Sequence, residues 1–395
     1  MTLILNNEEV RKALDPAGYI DAMEEAFEEL GRDAAINSPR TETSIPYSHF
    51  TSPLKREVRG LIKQIPLDAD PFHSPEALRA GKKADEVIYR LKTMPGGYSK
   101  SGLMALRIDS TLDTHPLIRG GIRSVKLPVG EGWRYTGIVL LFSIVTGELL
   151  AIMPDGEIQK MRVGATTALG VKHLSRKDSA VVGLLGTGTQ AQSALLTVSH
   201  VRSLKRVQVF SPNLDNRRRF ARNMSDRIGV EIVPVNKPED AFVNADIMLT
   251  ATTSHTPIFK AKWLREGAHL GTVNPYEAEM RTFSRCDRVV VNVRPFGGGS
   301  DLIHDFVLGG KTPRTIGKVM NERARKLDWQ SMTELGEILN GVKGRIRASQ
   351  ITYHVNNIGL GMQFAAAGAK ILKGAKEKKL GQEIPTGWFL QKEHT

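Results

Sequence analysis

The feature that most constrains this chain is a glycine turn between an apolar run and a helix-forming segment. Residues 181–191 read Val-Val-Gly-Leu-Leu-Gly-Thr-Gly-Thr-Gln-Ala. Gly186 permits a tight turn, Gly188 lets the backbone approach a phosphate, and Ala191 allows the helix to pack close to the strand. The first amides of such a helix favour an anion. The pattern predicts a dinucleotide-binding turn, with a nicotinamide or flavin cofactor as the leading interpretation.

From about residue 179 onward, strand-like apolar runs alternate with helical segments. The predicted strands are Ala180–Leu185, Arg206–Phe210, Val230–Pro234, Ala245–Thr250, Ala268–Val273 and Arg288–Val293. Helices are predicted over Ala191–His200 and Asn216–Arg227. This alternation is typical of a parallel sheet covered on both faces. We therefore predict an α/β fold with a Rossmann-type, doubly wound parallel sheet.

The flanking regions have a different pattern. A helix is predicted over residues 16–31, and Gly137–Ser143 followed by Leu149–Met153 indicates a hairpin. A further strand is predicted over Leu103–Ile108. Residues 45–85 are interpreted as an irregular insertion, and the final segment, from Thr352 to about Lys378, as a helix that packs back onto the first part.

Composition limits the partners and the compartment. The chain has 55 Lys plus Arg against 42 Asp plus Glu, a net charge of +13, but these charges are scattered and do not predict a nucleic-acid surface. No run of eighteen apolar residues predicts a membrane span, and the acidic N-terminus has no signal-peptide pattern. Cys286 is the single cysteine, which is typical of a reducing cytoplasm. We expect a cytoplasmic protein without nucleic-acid or membrane partners and without a metal.

The residues after the second predicted strand bear on cofactor preference. An NAD site usually places Asp or Glu there, whereas this chain has Ser211. Asn213 and the guanidinium groups of Arg217 and Arg218 would suit a 2′-phosphate, while Asp215 is predicted to cap the next helix. NADP(H) is therefore favoured and NAD(H) is possible. The alternative is that these arginines only cover a helix surface.

Small hydroxyl residues follow the fourth strand, where they either line the cofactor cleft or form a plain turn. The predicted cofactor-binding residues are Thr166, Gly186, Gly188, Thr189, Gln190, Ala191, Ser211, Asn213, Arg217, Thr250, Thr252 and Val273.

Three arginines stand among apolar or small residues: Arg40, Arg107 and Arg162. An arginine in such a place is costly unless it meets an anion, and guanidinium groups bind carboxylates bidentately. The three would suit an amino, imino or keto acid substrate. Structural ion pairing with Asp or Glu is the alternative. Candidate proton carriers are Lys92, Lys126 and His115.

Several ordered segments make the chain resemble the ornithine cyclodeaminase/μ-crystallin family. They are Thr146–Met153, Met161–Ala168, Gly186–Ala191, Ala245–Ile247, Thr250–Thr252, Glu266–Leu270 and Glu334–Gly341. The resemblance implies chemistry on small 2-amino acids with NAD(P)(H), and carboxylate binding by Arg40 and Arg162. It also implies a homodimer of two-domain subunits. Residues 1–162 and 346–395 would form the substrate-binding and dimerisation domain, of α+β type, and residues 163–345 the Rossmann domain.

Two departures from the family pattern concern the reaction. Arg107 stands where the family usually has a lysine, and the stretch from His269 to Glu279 lacks the aspartate of the cyclodeaminases, with Glu277 as a doubtful substitute. We assign catalytic roles to Arg107 and Lys92. The leading hypothesis is an imine or ketimine reductase, or an amino-acid dehydrogenase. The alternatives are an ornithine cyclodeaminase, which makes proline and ammonia, and a non-catalytic NADP-binding protein.

Overall fold

The structure is a computed structural model. It describes residues 1–64, 87–114, 117–118, 121–122, 124–127, 129, 132–295, 303–308 and 326–391. The predicted insertion over residues 45–85 is described only as far as Gln64. The rest of it, and the candidate proton carrier His115, lie outside the described residues. The described helices are α1 (Asn7–Ala13), α2 (Pro16–Gly31), α3 (Ser52–Gln64), α4 (Gly156–Leu174), α5 (Thr189–Val198), α6 (Leu214–Ile228), α7 (Arg281–Arg285), α8 (Leu335–Leu339) and α9 (Gly361–Glu377).

The first sheet is largely antiparallel. Its strands are β1 (Thr2–Ile4), β2 (Ala35–Asn37), β3 (Arg40–Pro46), β4 (Ile88–Tyr98), β5 (Leu103–Thr114), β8 (Val125–Leu127), β9 (Thr136–Ser143), β10 (Leu149–Pro154), β17 (Ile303–Val307) and β20 (Gln382–Ile384). They lie in the order β17-β3-β4-β5-β9-β10-β1-β20, with β2 on β4 and β8 on β5. A separate hairpin joins β6 (Leu117–Ile118) to β7 (Gly121–Ile122). The predicted β9–β10 hairpin is confirmed.

The second sheet is parallel throughout. Its strands are β11 (Val181–Leu185), β12 (Arg206–Phe210), β13 (Glu231–Pro234), β14 (Ile247–Thr250), β15 (His269–Thr272), β16 (Arg288–Val291), β18 (Thr333–Glu334) and β19 (Thr352–Val355). Their order is β13-β12-β11-β14-β15-β19-β16-β18. The order reverses between β11 and β14, where ligands bind at the carboxyl ends of strands in such sheets. The predicted fold class is confirmed.

Two segments differ from the sequence prediction. Thr352–Val355 was predicted as part of a helix, but it forms β19 between β15 and β16. All four of its residues are buried, and a short run of β-branched and aromatic residues suits a strand covered on both faces. Ile303–Val307 pairs with β3 in the first sheet, although the predicted boundaries put it in the Rossmann part. The domain boundaries themselves stay a prediction.

Helix α4 joins the two sheets. It begins directly after β10 of the first sheet, and it packs against α2, α5, α9 and the parallel strands β15 and β19. At Gly164 a Cβ atom would lie 2.6 Å from the carbonyl carbon and oxygen of Ser193 in α5, so only glycine allows this approach. One helix therefore carries Arg162 and Thr166 while it touches the helix that follows the glycine turn.

Candidate active site

The glycine turn has the geometry that the sequence predicts for it. Gly186 has a φ of +112°, and a Cβ there would lie 2.3 Å from the Ala251 carbonyl oxygen. Gly188 is the N-cap of α5, and a Cβ there would meet nothing within 4 Å. No side chain caps α5 among the described residues, so its first amides are available to an anion. The buried Gln190 Oε1 has no hydrogen-bond partner in the described part of the protein.

These observations fit a dinucleotide diphosphate. Open space beside Gly188 and uncapped amides of Thr189 and its successors are what a phosphate requires. Ala191 is buried against the core, as its small side chain allows. The Val273 amide donates to the Thr250 carbonyl and so extends the parallel pairing of β14 and β15 by one hydrogen bond. The cofactor role of these residues stays a prediction.

The end of β12 differs in detail from the sequence interpretation. Asn213, and not Asp215, is the N-cap of α6: its side-chain oxygen accepts a hydrogen bond from the Asn216 amide. Asp215 lies inside the first turn instead. Arg217 is 6% exposed; it donates to the Val235 carbonyl and lies over the Phe210 ring, 5.2 Å from its centroid. Arg217 is thus folded onto the ends of β12 and β13 rather than spread over the helix surface.

Two of the predicted cofactor residues bind a carboxylate of the protein itself. The Thr250 hydroxyl donates to Glu277 at 3.0 Å, and the Thr252 hydroxyl and amide donate to it at 2.6 and 2.7 Å. Glu277 is fully buried, and burial raises its pKa to about 7 against the opposing effect of these hydrogen bonds. Sequence reasoning placed Glu277 near this edge but did not find its partners.

Arg107 is held by two carboxylates. Its Nε donates to Asp155 at 2.7 Å and its Nη2 donates to Asp109 at 2.6 Å. All three side chains are buried. The neighbouring carboxylates raise the pKa of Arg107 against the effect of burial, and Arg107 in turn lowers that of Asp109. Structural ion pairing, which the sequence left as the alternative, describes Arg107; its predicted catalytic and substrate-binding roles gain no support from these contacts.

The Asp155 carboxylate depends on two further residues. A Cβ on Gly137 would lie 2.1 Å from Asp155 Oδ1, so the strand must carry glycine where the carboxylate passes. The Tyr135 hydroxyl also hydrogen-bonds to Asp155. Sequence reasoning missed Asp109 and Asp155. Asp109 had a usable signal, since it lies two residues from Arg107 on the same face of a strand.

Arg162 differs from Arg107 in its partners. It is buried, and its Nη1 and Nη2 donate to the amide oxygens of Gln363 at 3.0 Å and Gln159 at 2.8 Å. No Asp or Glu forms an ion pair with it among the described residues, and its Nε has no partner there. Burial, together with the charge of Arg107, lowers the pKa of Arg162 to about 9. It remains a cation at neutral pH without an acidic counterion.

The surroundings of Arg162 are shaped to admit a guanidinium group. A Cβ on Gly359 would lie 2.5 Å from both terminal nitrogens of Arg162. The Phe364 ring contacts both buried arginines, with its centroid 5.3 Å from the Arg162 guanidinium carbon and 5.4 Å from that of Arg107. Thr166, a predicted cofactor residue, accepts from Gln363 and donates to the Arg162 carbonyl.

Arg40 and the candidate lysines complete the charged cluster. Arg40 pairs with Glu42 at 2.8 Å, is close enough to Arg162 to lower its pKa, and has an unpartnered, buried Nε among the described residues. Lys92 lies 3.6 Å from Asp113. Lys126 lies 3.8 Å from Asp109 and 3.8 Å from the centroid of Tyr135, and burial lowers the pKa of Lys126. The structure thus brings the three predicted arginines and both described lysines together.

A Rossmann-type sheet with a glycine turn at its switch point, in a chain that also carries buried arginines, defines the class: a dinucleotide-binding protein of two sheets. A family model described as "Ornithine cyclodeaminase/mu-crystallin family" matches residues 133–379. The chain belongs to this family, and the resemblance predicted from the sequence is confirmed. No helix of the described residues is long and apolar enough to cross a membrane.

Solved structures and curated relatives agree with this membership. The chain is similar to a Thermococcus litoralis Δ(1)-pyrroline-2-carboxylate reductase solved with NADH and L-proline, at 26% identity and a TM-score of 0.70, covering 97% of this chain and 100% of that one. An uncharacterized cyclodeaminase of Sinorhizobium fredii is 26% identical over 83% of this chain and 98% of its own length. The match to a Bacillus cereus Δ(1)-pyrroline-2-carboxylate reductase, at 30% identity, spans 37% of this chain and 44% of that protein. The chain thus spans less than half the length of that curated relative.

Proposed function

We propose that this protein is an NAD(P)H-dependent reductase of a small 2-imino acid, working in either direction between imine and amine. The observation that carries the proposal is Arg162, a buried cation without an acidic partner in the described protein. A substrate carboxylate supplies the missing anion and binds it bidentately. The glycine turn holds the cofactor diphosphate across the same cleft. Similarity to a reductase solved with NADH and L-proline supports this substrate class.

The residues of the chain then have distinct parts. A bound nicotinamide supplies or accepts the hydride. Arg162, with Arg40 beside it, binds and orients the carboxylate, so that the α-carbon has a fixed position. Arg107 is neutralised by Asp109 and Asp155, and its part is to hold these two carboxylates in place beside the other arginines. Lys92 and Lys126 carry the ammonium groups of the cluster, and either is a candidate for supplying the proton that an imine nitrogen requires.

Cofactor preference and assembly are further parts of the proposal. Ser211 in place of an acidic residue, with Arg217 at the ends of β12 and β13, favours NADP(H) over NAD(H). We also propose a homodimer, since a relative of the same fold, an archaeal alanine dehydrogenase, was solved as a dimer with bound NAD.

The deciding assay follows NADPH and NADH oxidation with a panel of imines. The panel contains cyclic five- and six-membered imino acids, and pyruvate, glyoxylate or oxaloacetate each with ammonia or methylamine. We expect turnover with at least one carboxylate-bearing imine and none with the matching imine that lacks the carboxylate. Proline formation from ornithine with NAD⁺, without imine reduction, would instead establish the cyclodeaminase. Cofactor binding without any turnover would establish a binding protein.

Gly188→Ala tests the cofactor turn separately from the fold. No atom lies within 4 Å of the added Cβ, so we expect an unchanged thermal midpoint. The Cβ would stand where the diphosphate approaches, and losing its amide hydrogen bonds should weaken NADH binding about 10- to 100-fold. Calorimetric titration measures this. The matched variant Gly186→Ala should destabilise the protein, because its φ is +112° and its Cβ meets a carbonyl oxygen.

Wild-type NADH affinity in Gly188→Ala would contradict the placement of the diphosphate. A large loss of stability in that variant would show that the turn is packed more tightly than the structure indicates.

A further inference from the structure

Glu277 is a buried carboxylate surrounded by hydrogen-bond donors. Both of its oxygens are used: Oε1 accepts from the Thr252 amide and hydroxyl, and Oε2 accepts from the Thr250 hydroxyl. The Asn274 amide is a further donor. Thr250 is the last residue of β14, Thr252 follows it, and Asn274 follows β15, so the carboxylate connects the ends of two neighbouring strands.

The segment that Glu277 holds forms one wall of the glycine turn. The position of a Cβ on Gly186 is 2.3 Å from the Ala251 oxygen and 3.3 Å from Thr252 Cγ2. Ala251 lies between the two threonines that donate to Glu277. The two segments are in close contact, so a shift of the Thr250–Thr252 segment by a few tenths of an ångström would change the position of the Gly186 turn.

A protonated Glu277 cannot satisfy the same partners. Its new O–H must donate, while every hydrogen-bonding group described around it donates already. At least one hydrogen bond is then lost, or a threonine hydroxyl must rotate. The titratable group that faces Glu277 in the described protein is Tyr353, whose hydroxyl bonds to Thr272 at 3.0 Å; the charged form of Glu277 opposes ionisation of that tyrosine.

We propose that Glu277 is a positioning residue for the dinucleotide: in its charged form it fixes the Thr250–Thr252 segment against the Gly186 turn, and cofactor binding requires that form. The inference rests on the cofactor site of the proposed function. It adds Glu277 to the residues of that site and couples cofactor binding to the protonation of Glu277. Cofactor affinity then falls in mild acid. Binding releases a proton from the fraction of molecules that hold Glu277 protonated.

The experiment measures NAD⁺ binding by calorimetry between pH 6 and pH 8.5, in buffers of different ionisation enthalpy. NAD⁺ is the probe because, unlike NADP⁺, it lacks the 2′-phosphate that titrates in this range. With the pKa of Glu277 at about 7, we expect binding about tenfold weaker at pH 6 than at pH 8, and release of about half a proton near pH 7.

Two variants test whether Glu277 causes the pH dependence of NAD⁺ binding. Glu277→Gln keeps the volume but removes the charge, and it should bind NAD⁺ with a pH-independent affinity that is no better than that of the wild type at pH 6. Glu279→Gln is the matched control on the same segment, since Glu279 accepts from the Ala261 amide at 3.0 Å, away from the threonines. It should keep the pH dependence of the wild type. Circular dichroism and the thermal midpoint check that each variant folds.

The outcomes are separable. A wild-type affinity that is constant from pH 6 to pH 8.5 overturns the role of Glu277 even if Glu277→Gln fails to fold, and leaves the reductase assignment untouched. Retained pH dependence in a folded Glu277→Gln also overturns it. A wild type that binds neither NAD⁺ nor NADP⁺ at any pH overturns the cofactor site, and the role of Glu277 with it.

Discussion

Arg162→Met should remove most of the activity on a carboxylate substrate while leaving the protein folded. In the described structure the guanidinium group of this arginine donates to the amide oxygens of Gln363 and Gln159 and forms no ion pair with Asp or Glu, so the proposed function assigns its charge to a ligand carboxylate. Truncating one partner of a buried, hydrogen-bonded charge pair costs about 2–5 kcal/mol, which corresponds to a loss of roughly 30- to 5,000-fold in kcat/KM. Steady-state kinetics on the imine found in the panel measures it.

The stability of the same variant separates binding from structure. Replacing a buried charge by an apolar side chain of similar length is often neutral or stabilising. Gln363 Oε1 keeps a donor in the Leu360 amide, so the substitution leaves that oxygen partnered. We expect the free energy of unfolding, measured with guanidinium chloride, to stay constant or rise. A fall of several kcal/mol would mean that Arg162 is a structural residue and would remove the main support for the proposed substrate class.

Arg107→Met should give the opposite result: its main effect should be a lower free energy of unfolding. The substitution removes the cation that both Asp109 and Asp155 contact, while Lys126 stays 3.8 Å from Asp109, and breaking a buried pair in this way costs about 3–5 kcal/mol. Guanidinium unfolding of the two variants side by side provides the comparison. Arg176→Met is the control, because Arg176 pairs with Asp246 at a site where a quarter of its side chain is exposed, and the loss should be smaller.

The pH dependence of Arg107→Met has a defined sign. In the wild type Arg107 lowers the pKa of Asp109, so the pair contributes stability at neutral pH that is lost as the pH falls through the range below 4. In the variant Asp109 keeps the effect of burial, which raises its pKa, and loses the opposing effect of Arg107, so mild acid favours the folded state. The stability gap between wild type and variant should narrow from pH 8 to pH 5. A constant gap would show that the two carboxylates are solvated or otherwise neutralised.

The sequence predicted the elements whose signals are local. The six strands β11 to β16, the turn at Gly186 and the hairpin of β9 and β10 follow from periodicity and glycine placement. The order of the strands within the sheet was not predicted. Thr352–Val355 was misassigned because four residues are too few to separate a strand from the start of the helix behind them. Its two neighbours in the sheet lie far away in the chain, and pairing of that kind leaves no local trace.

The site was predictable in its residue types and less so in their pairing. Arg40, Arg107 and Arg162 were selected by one criterion, a cation among apolar residues. Among the described residues, Arg40 and Arg107 have acidic partners and Arg162 has none. Two of the acidic partners lie two residues along the same strand, Glu42 for Arg40 and Asp109 for Arg107, and this spacing was a local signal that the sequence analysis did not use. Asp155 is different, because it is distant in the chain and reaches Arg107 only where Gly137 lacks a side chain.

The position of helix α4 bears on how the substrate and the cofactor of the proposed reaction meet. It bears Arg162 near its start, and one helical turn or less further on it touches α5, the helix that begins at the cofactor turn. In the proposed site this helix therefore sets the separation between Arg162, which would bind the substrate carboxylate, and the turn that would hold the diphosphate. Moving one sheet away from the other would bend the helix, so we expect the two binding groups to keep their spacing while reactants enter and leave.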